Sequence, residues 1–103
     1  MKQYEETIVF DGSLENEQIN AELKKVEDII QSHGATISDI NRWGRRKMAY
    51  PIRKKEQGYY VIITFETDGP SITGIEHEYE LNEAILRYLT IAVEKQPSKQ
   101  EEA

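Results

Sequence analysis

Residues 59–66 read Tyr-Tyr-Val-Ile-Ile-Thr-Phe-Glu, a run of β-branched and aromatic side chains that lacks a polar face. A strand of that kind belongs in the middle of a sheet, so the segment calls for a partner strand on each side. Three other segments can supply them. Residues 3–10 place Tyr4, Glu6, Ile8 and Phe10 on one side and Glu5, Thr7 and Val9 on the other, before Asp11-Gly12-Ser13 breaks the strand. Residues 35–52 hold Ile37, Ile40, Trp43, Tyr50 and Ile52, with Pro51 against a helix and Gly44 marking a bulge. Residues 85–94 form the last strand, with Leu89, Ile91 and Val93 on one side. Between the second and third strands, residues 53–58 (Arg-Lys-Lys-Glu-Gln-Gly) are expected to turn, with Gly58 supplying backbone freedom.

Two other segments have helical period. In residues 15–32, Ile19, Leu23, Val26 and Ile30 recur at spacings of four, three and four, with Ile29 widening the stripe and Gly34 placed to end the helix in the left-handed region. After Asp68-Gly69-Pro70, the residues Ile72, Ile75 and Tyr79 mark the buried face of a second helix, which Gly74 weakens and Asn82-Glu83 ends. The order strand, helix, strand, strand, helix, strand is the split βαβ pattern: an α+β, ferredoxin-like fold (βαββαβ). Right-handed crossovers put both helices on one face of a four-stranded antiparallel sheet and leave the other face open. One domain is expected over residues 1–94, followed by a loose polar tail over residues 95–103.

Most chemistry is excluded by what is missing. With no cysteine among 103 residues, there is neither a disulfide framework nor a thiolate metal site. The N-terminus, MKQYEETIVF, is not a signal peptide, and no stretch approaches the ~20 apolar residues of a membrane span. A soluble, intracellular chain without membrane contact is expected. The only histidines, His33 and His77, flank different helices without ligand-spaced partners. There is no phosphate-binding glycine loop and no nucleophile–base arrangement. Ferredoxin-like enzymes that cleave acyl phosphates need an Arg in the loop after the first strand, and Asp-Gly-Ser-Leu-Glu-Asn has none. No catalytic residue, metal, cofactor or small-molecule substrate is expected.

The charge distribution points elsewhere. Residues 42–55, Arg-Trp-Gly-Arg-Arg-Lys-Met-Ala-Tyr-Pro-Ile-Arg-Lys-Lys, hold seven of the thirteen Lys and Arg residues and no Asp or Glu, in a chain of net charge −6. The seven are Arg42, Arg45, Arg46, Lys47, Arg53, Lys54 and Lys55. Positive charge gathered on one hairpin of an acidic protein suits a surface that meets phosphate. Base stacking on the sheet centre, as in RNA recognition motifs, is not expected. Gln57-Gly58-Tyr59-Tyr60-Val61-Ile62-Ile63-Thr64 lacks the basic residue, the small residue and two of the three aromatics of that signature. Phosphate or sugar contact by the hairpin cations fits better. Trp43, Tyr50 and Tyr59 lie near them in sequence, either as sheet packing or as interface anchors. The Gly44 bulge leaves open whether Arg45 or Arg46 shares a face with Trp43.

Gly44-Arg45-Arg46-Lys47-Met48-Ala49-Tyr50-Pro51-Ile52, with Trp43 before it, closely resembles the signature of the bacterial small-subunit ribosomal protein six family. Lys2-Gln3-Tyr4-Glu5 is similar to that family's opening, and Leu86-Arg87 falls where the family carries a basic residue. Met48 stands where the family has Leu, a volume-conserving change. Tyr79-Glu80-Leu81-Asn82 is less basic than many members at that turn, and the tail ends early, at Glu101-Glu102-Ala103. The resemblance implies a non-catalytic component of the ribosome, in the bacterial cytoplasm. It implies binding to the central domain of small-subunit ribosomal RNA, paired with ribosomal protein eighteen. On that resemblance, Lys2, Arg42, Arg45, Arg46, Lys47, Arg53, Lys54, Lys55 and Arg87 are the expected RNA contacts. Trp43, Tyr50, Ile52 and Tyr59 are expected to meet the partner protein. The competing expectations are a dimeric ferredoxin-like module that binds an anionic metabolite, and a small enzyme, for which the chain offers no nucleophile or base.

Overall fold

The structure is a computed structural model, and it describes residues 2–93. The polar tail expected over residues 95–103 lies outside the described residues. The elements follow the expected order: β1 (Lys2–Asp11), α1 (Asn16–Ser32), β2 (Thr36–Ile52), β3 (Lys55–Thr67), α2 (Gly69–Glu80) and β4 (Ile85–Val93). They build one four-stranded sheet in the order β2-β3-β1-β4, antiparallel at every pairing. The apolar strand β3 has a neighbour on each edge, as its lack of a polar face requires.

Both helices pack on one face. Alternation along β1 and β3 sends Tyr4, Ile8, Phe10, Val61, Ile63 and Phe65 to that side, against Ile19, Leu23, Val26 and Ile30 of α1 and Ile75 and Tyr79 of α2. The three- and four-residue spacings read in α1 are the buried ones. Gly34 ends α1 at φ 84°. Its N–H reaches the Gln31 carbonyl at 3.0 Å and that of Ala35 the Ile30 carbonyl at 3.2 Å, which satisfies the last turn. The Asp68 carboxylate caps α2, accepting from the Ser71 N–H at 3.1 Å. Gly74 is more than a weak point of α2, since a Cβ there would sit 2.7 Å from Cε1 of His33. The space it leaves seats the His33 ring, whose Nε2 lies 2.7 Å from a Glu78 carboxylate oxygen and ties α1 to α2.

The turn between β2 and β3 differs from expectation. It is two residues long, not six: Ile52 pairs with Lys55, and Arg53 and Lys54 take φ 51° and 66° between them. Lys55, Glu56 and Gln57 belong to β3. Gly58 is therefore no turn glycine. A Cβ there would lie 2.4 Å from Cγ1 of Val9 and 3.4 Å from Sδ of Met48. Its absence lets β2 fold closely over the sheet. Between Lys47, opposite Gln57, and Ile52, opposite Lys55, the register shifts: β2 advances five residues while β3 advances two. The extra length arches across the helix-free face and lays Met48 on Val9 and Leu86, with Ile52 and Tyr60 beside them. The face expected to be open is thus partly covered by the chain itself, with about 1.5–3 kcal/mol gained per fully buried side chain.

Candidate nucleic-acid interface

The hairpin cations divide between two faces, and the bulge decides how. Arg42 pairs with Val61 and Gly44 with Tyr60, so Trp43 has no partner on β3. In an unbroken strand Arg42 and Arg45 would face opposite ways. The extra residue brings them to the same side. Both guanidinium carbons lie 5.5 Å from the ring centre of Tyr59. Arg42 donates to the Tyr59 hydroxyl at 3.0 Å and to Asn20 of α1 at 2.6 Å. Arg45 donates to the Gly12 carbonyl at 3.0 Å, to Asn16 at 2.7 Å and to the Leu14 carbonyl. These two arginines and Tyr59 fasten the hairpin to the β1–α1 loop and to the first turns of α1. Three expected binding residues are thus engaged inside the molecule, and Tyr59 is parted from Trp43, Tyr50 and Ile52.

Arg46 takes the other side, opposite Gly58, with its guanidinium 5.4 Å from the ring centre of Trp43. Trp43 is 49% exposed and Tyr50 57% exposed. Arg87 of β4 reaches Tyr50 from the same face, donating to its hydroxyl at 3.0 Å. At the sheet end, Arg53 donates to the Glu83 carbonyl at 3.3 Å. Lys55 pairs with Asp11 at 3.3 Å. Burial works against the Asp11 charge, yet the Ser13 N–H and hydroxyl and the Lys55 ammonium hold its carboxyl below the usual range. The side chains of Lys47 and Lys54 make no hydrogen bond or ion pair with a described residue, and both are exposed. Lys2 pairs with Thr67 at the opposite end of the sheet. That is about 30 Å along β1 from the hairpin turn, so Lys2 shares no contiguous patch with the other cations.

Two features escaped the sequence reading. Glu6 is fully buried on the helix side of the sheet, accepting from the Tyr79 hydroxyl at 2.5 Å and the Thr90 hydroxyl at 2.7 Å. Burial pushes its carboxyl up to about 7, with the two hydroxyl donors opposing and Glu76 adding to the rise. The alternation of β1 put Glu6 on the core side, but only tertiary packing shows its partners. The second feature is a row of exposed apolar residues on the helix-free side of β4: Leu89 (58%), Ile91 (50%) and Val93 (37%). The sequence grouped these three on one side, and the structure turns that side away from the core.

The fold and this hairpin define a ferredoxin-like binding module with a two-faced cationic edge. Among the described residues, no three His, Cys, Asp or Glu side chains gather to hold a metal. No helix of the described residues is long and apolar enough to cross a membrane. The family model Ribosomal protein S6 matches residues 3–92. The chain is 35% identical over 91 residues to small ribosomal subunit protein bS6 of Fusobacterium nucleatum, an alignment that covers 88% of this chain and 97% of the relative. It is 30% identical over 95 residues to the bS6 protein of Clostridium novyi, covering 92% and 100%. The crystal structure of 30S ribosomal protein S6 from Thermotoga maritima matches with a TM-score of 0.85 at 28% identity, covering 89% of this chain and 87% of that one. The chain belongs to the ribosomal protein S6 family, a family of ribosomal components and not of enzymes.

Proposed function

We propose that this protein is a structural component of the bacterial small ribosomal subunit, acting in the cytoplasm. It binds the central domain of small-subunit ribosomal RNA together with ribosomal protein eighteen. The observation that carries the RNA contact is the exposed cationic side of the β2–β3 hairpin. The side chains of Arg46, Lys47 and Lys54 have no intramolecular hydrogen bond or ion pair with described residues, and the segment 42–55 contains no carboxylate to compete with phosphate. Arg53, Lys55 and Arg87 flank them, each with a single internal partner residue that a phosphate can displace or share. Tyr50 and Ile52 border the apolar patch formed with Met48, Val9 and Leu86 and are assigned to the partner protein. The acidic remainder of the surface suits a basic neighbour.

The test is binding to a central-domain RNA fragment across a salt series, with and without ribosomal protein eighteen. Each phosphate contact removed is expected to lower the slope of log K against log salt by about 0.7–0.9. The triple variant R46A/K47A/K54A is expected to lower it by about 2–3. An unchanged slope and affinity in that variant would remove the hairpin from the RNA interface.

A further inference from the structure

We propose that Trp43 and Arg46 form a stacking site for one unpaired nucleobase of the bound RNA. The proposal rests on the RNA-binding reading above and says where a base, as distinct from a phosphate, is held. Trp43 is the only Trp of the chain. It is half exposed near the start of the cationic segment, where no core needs it. The bulge presents it: between Arg42 and Gly44, Trp43 faces no residue of β3. Gly44 beside it is held at φ 91°, a conformation that residues with a Cβ rarely adopt. Apart from its chain neighbours, a Cβ built on Gly44 would meet no atom within 4 Å, so space lies open beside the bulge.

Arg46 covers the ring at 5.4 Å, and its guanidinium makes no hydrogen bond or ion pair with a described residue. Its planar guanidinium can therefore stay stacked while its N–H groups donate to a phosphate. An aromatic face, a stacked arginine and the adjacent Lys47 are the groups that a single-stranded nucleotide needs, one for the base and two for its backbone. A protein anchor would have different surroundings. Such residues border apolar side chains that exclude water; Tyr50, though exposed, has Met48 and Ile52 at its edge. Trp43 belongs to neither apolar cluster and carries the Arg46 guanidinium over its ring instead.

The single Trp provides its own probe. The full chain is titrated with the central-domain ribosomal RNA fragment while Trp fluorescence and filter retention are followed in parallel. Stacking predicts quenching that saturates with the same midpoint as retention. W43L is expected to lose affinity by about five- to a hundredfold with its salt slope unchanged, because no charge is lost. W43F, which keeps an aromatic face, is expected to recover most of that loss. R46Q is expected to lower the slope by about 0.7–0.9. Retention of the RNA with unchanged fluorescence, followed by quenching only when purified ribosomal protein eighteen is added, would overturn stacking in favour of a protein contact. Wild-type protein that retains no RNA at any salt concentration, with or without ribosomal protein eighteen, would instead overturn the RNA-binding reading itself, and stacking with it.

Discussion

The Tyr79 hydroxyl lies 2.5 Å from a carboxylate oxygen of Glu6, and both side chains are sealed from water by the helix layer. No cation is among the contacts that offset the buried charge; the donors are the two hydroxyls of Tyr79 and Thr90. The acid is therefore held protonated more strongly in the folded state than in the unfolded one.

This makes stability fall as pH rises. The Glu6 carboxyl titrates near 4.5 when exposed and near 7 when folded, so its neutral form contributes fully below pH 4.5 and the contribution is lost as pH rises to about 7. The integrated effect is about 3 kcal/mol. Glu6→Gln, neutral throughout, is expected to become more stable relative to wild type by about that amount between pH 5 and pH 8. Urea melts at the two pH values would measure it, and a difference that does not change with pH would refute the assignment.

Arg45 and Arg46 are adjacent in sequence yet are expected to behave as opposites. Arg45 holds the Gly12 and Leu14 carbonyls and Asn16, so Arg45→Ala leaves those acceptors without their donor and costs about 1–3 kcal/mol of stability. Arg46→Ala is expected to stay within about 0.5 kcal/mol of wild type while weakening RNA binding. Thermal unfolding of the two variants side by side decides it. Equal melting temperatures would contradict the fastening role of Arg45.

The Arg53-Lys54 turn places two non-glycine residues at positive φ, each at a cost of about 1–2 kcal/mol. Two-residue hairpin turns of this kind favour Asn-Gly. The variant R53N/K54G is expected to gain about 1–2 kcal/mol in stability and to bind RNA more weakly and with less salt dependence. A variant neither more stable nor weaker in binding would show that these cations are not kept for function.

Gly58 and Gly44 separate two reasons for glycine. Gly58→Ala drives a Cβ into Val9, an overpacking expected to cost about 1–3 kcal/mol. Gly44→Ala meets no atom, but φ 91° makes it strained, at about 1–2 kcal/mol. Only Gly44→Ala is expected to alter Trp43 fluorescence in the folded protein, since it alone disturbs the bulge. Similar emission spectra for both variants would argue against that division.

The element order was legible because it rests on periodicity, which is local. The apolar run 59–66 required a central strand, and the stripe Ile19, Leu23, Val26, Ile30 required a helix lying on the sheet. The Gly44 bulge was legible too, since a glycine within a strand pattern has few other reasons to be there. The six-residue turn was misread because Gly58 resembles a turn glycine until Val9, far away in sequence, is seen to occupy its Cβ position.

The sequence by itself determined the fold class, the family and the concentration of positive charge between Arg42 and Lys55, all of which depend on residue type and spacing. Tertiary structure alone decided how that charge is arranged. One unpaired residue in β2 put Arg42 and Arg45 on the side of Tyr59 and Arg46 on the other, over Trp43. The fold also set Lys2 at the far end of the sheet and gave Glu6 its two buried hydroxyl partners. Strand side chains alternate with a period of two, so a single register shift reverses every later facing, and register is settled by contacts between segments distant in the chain.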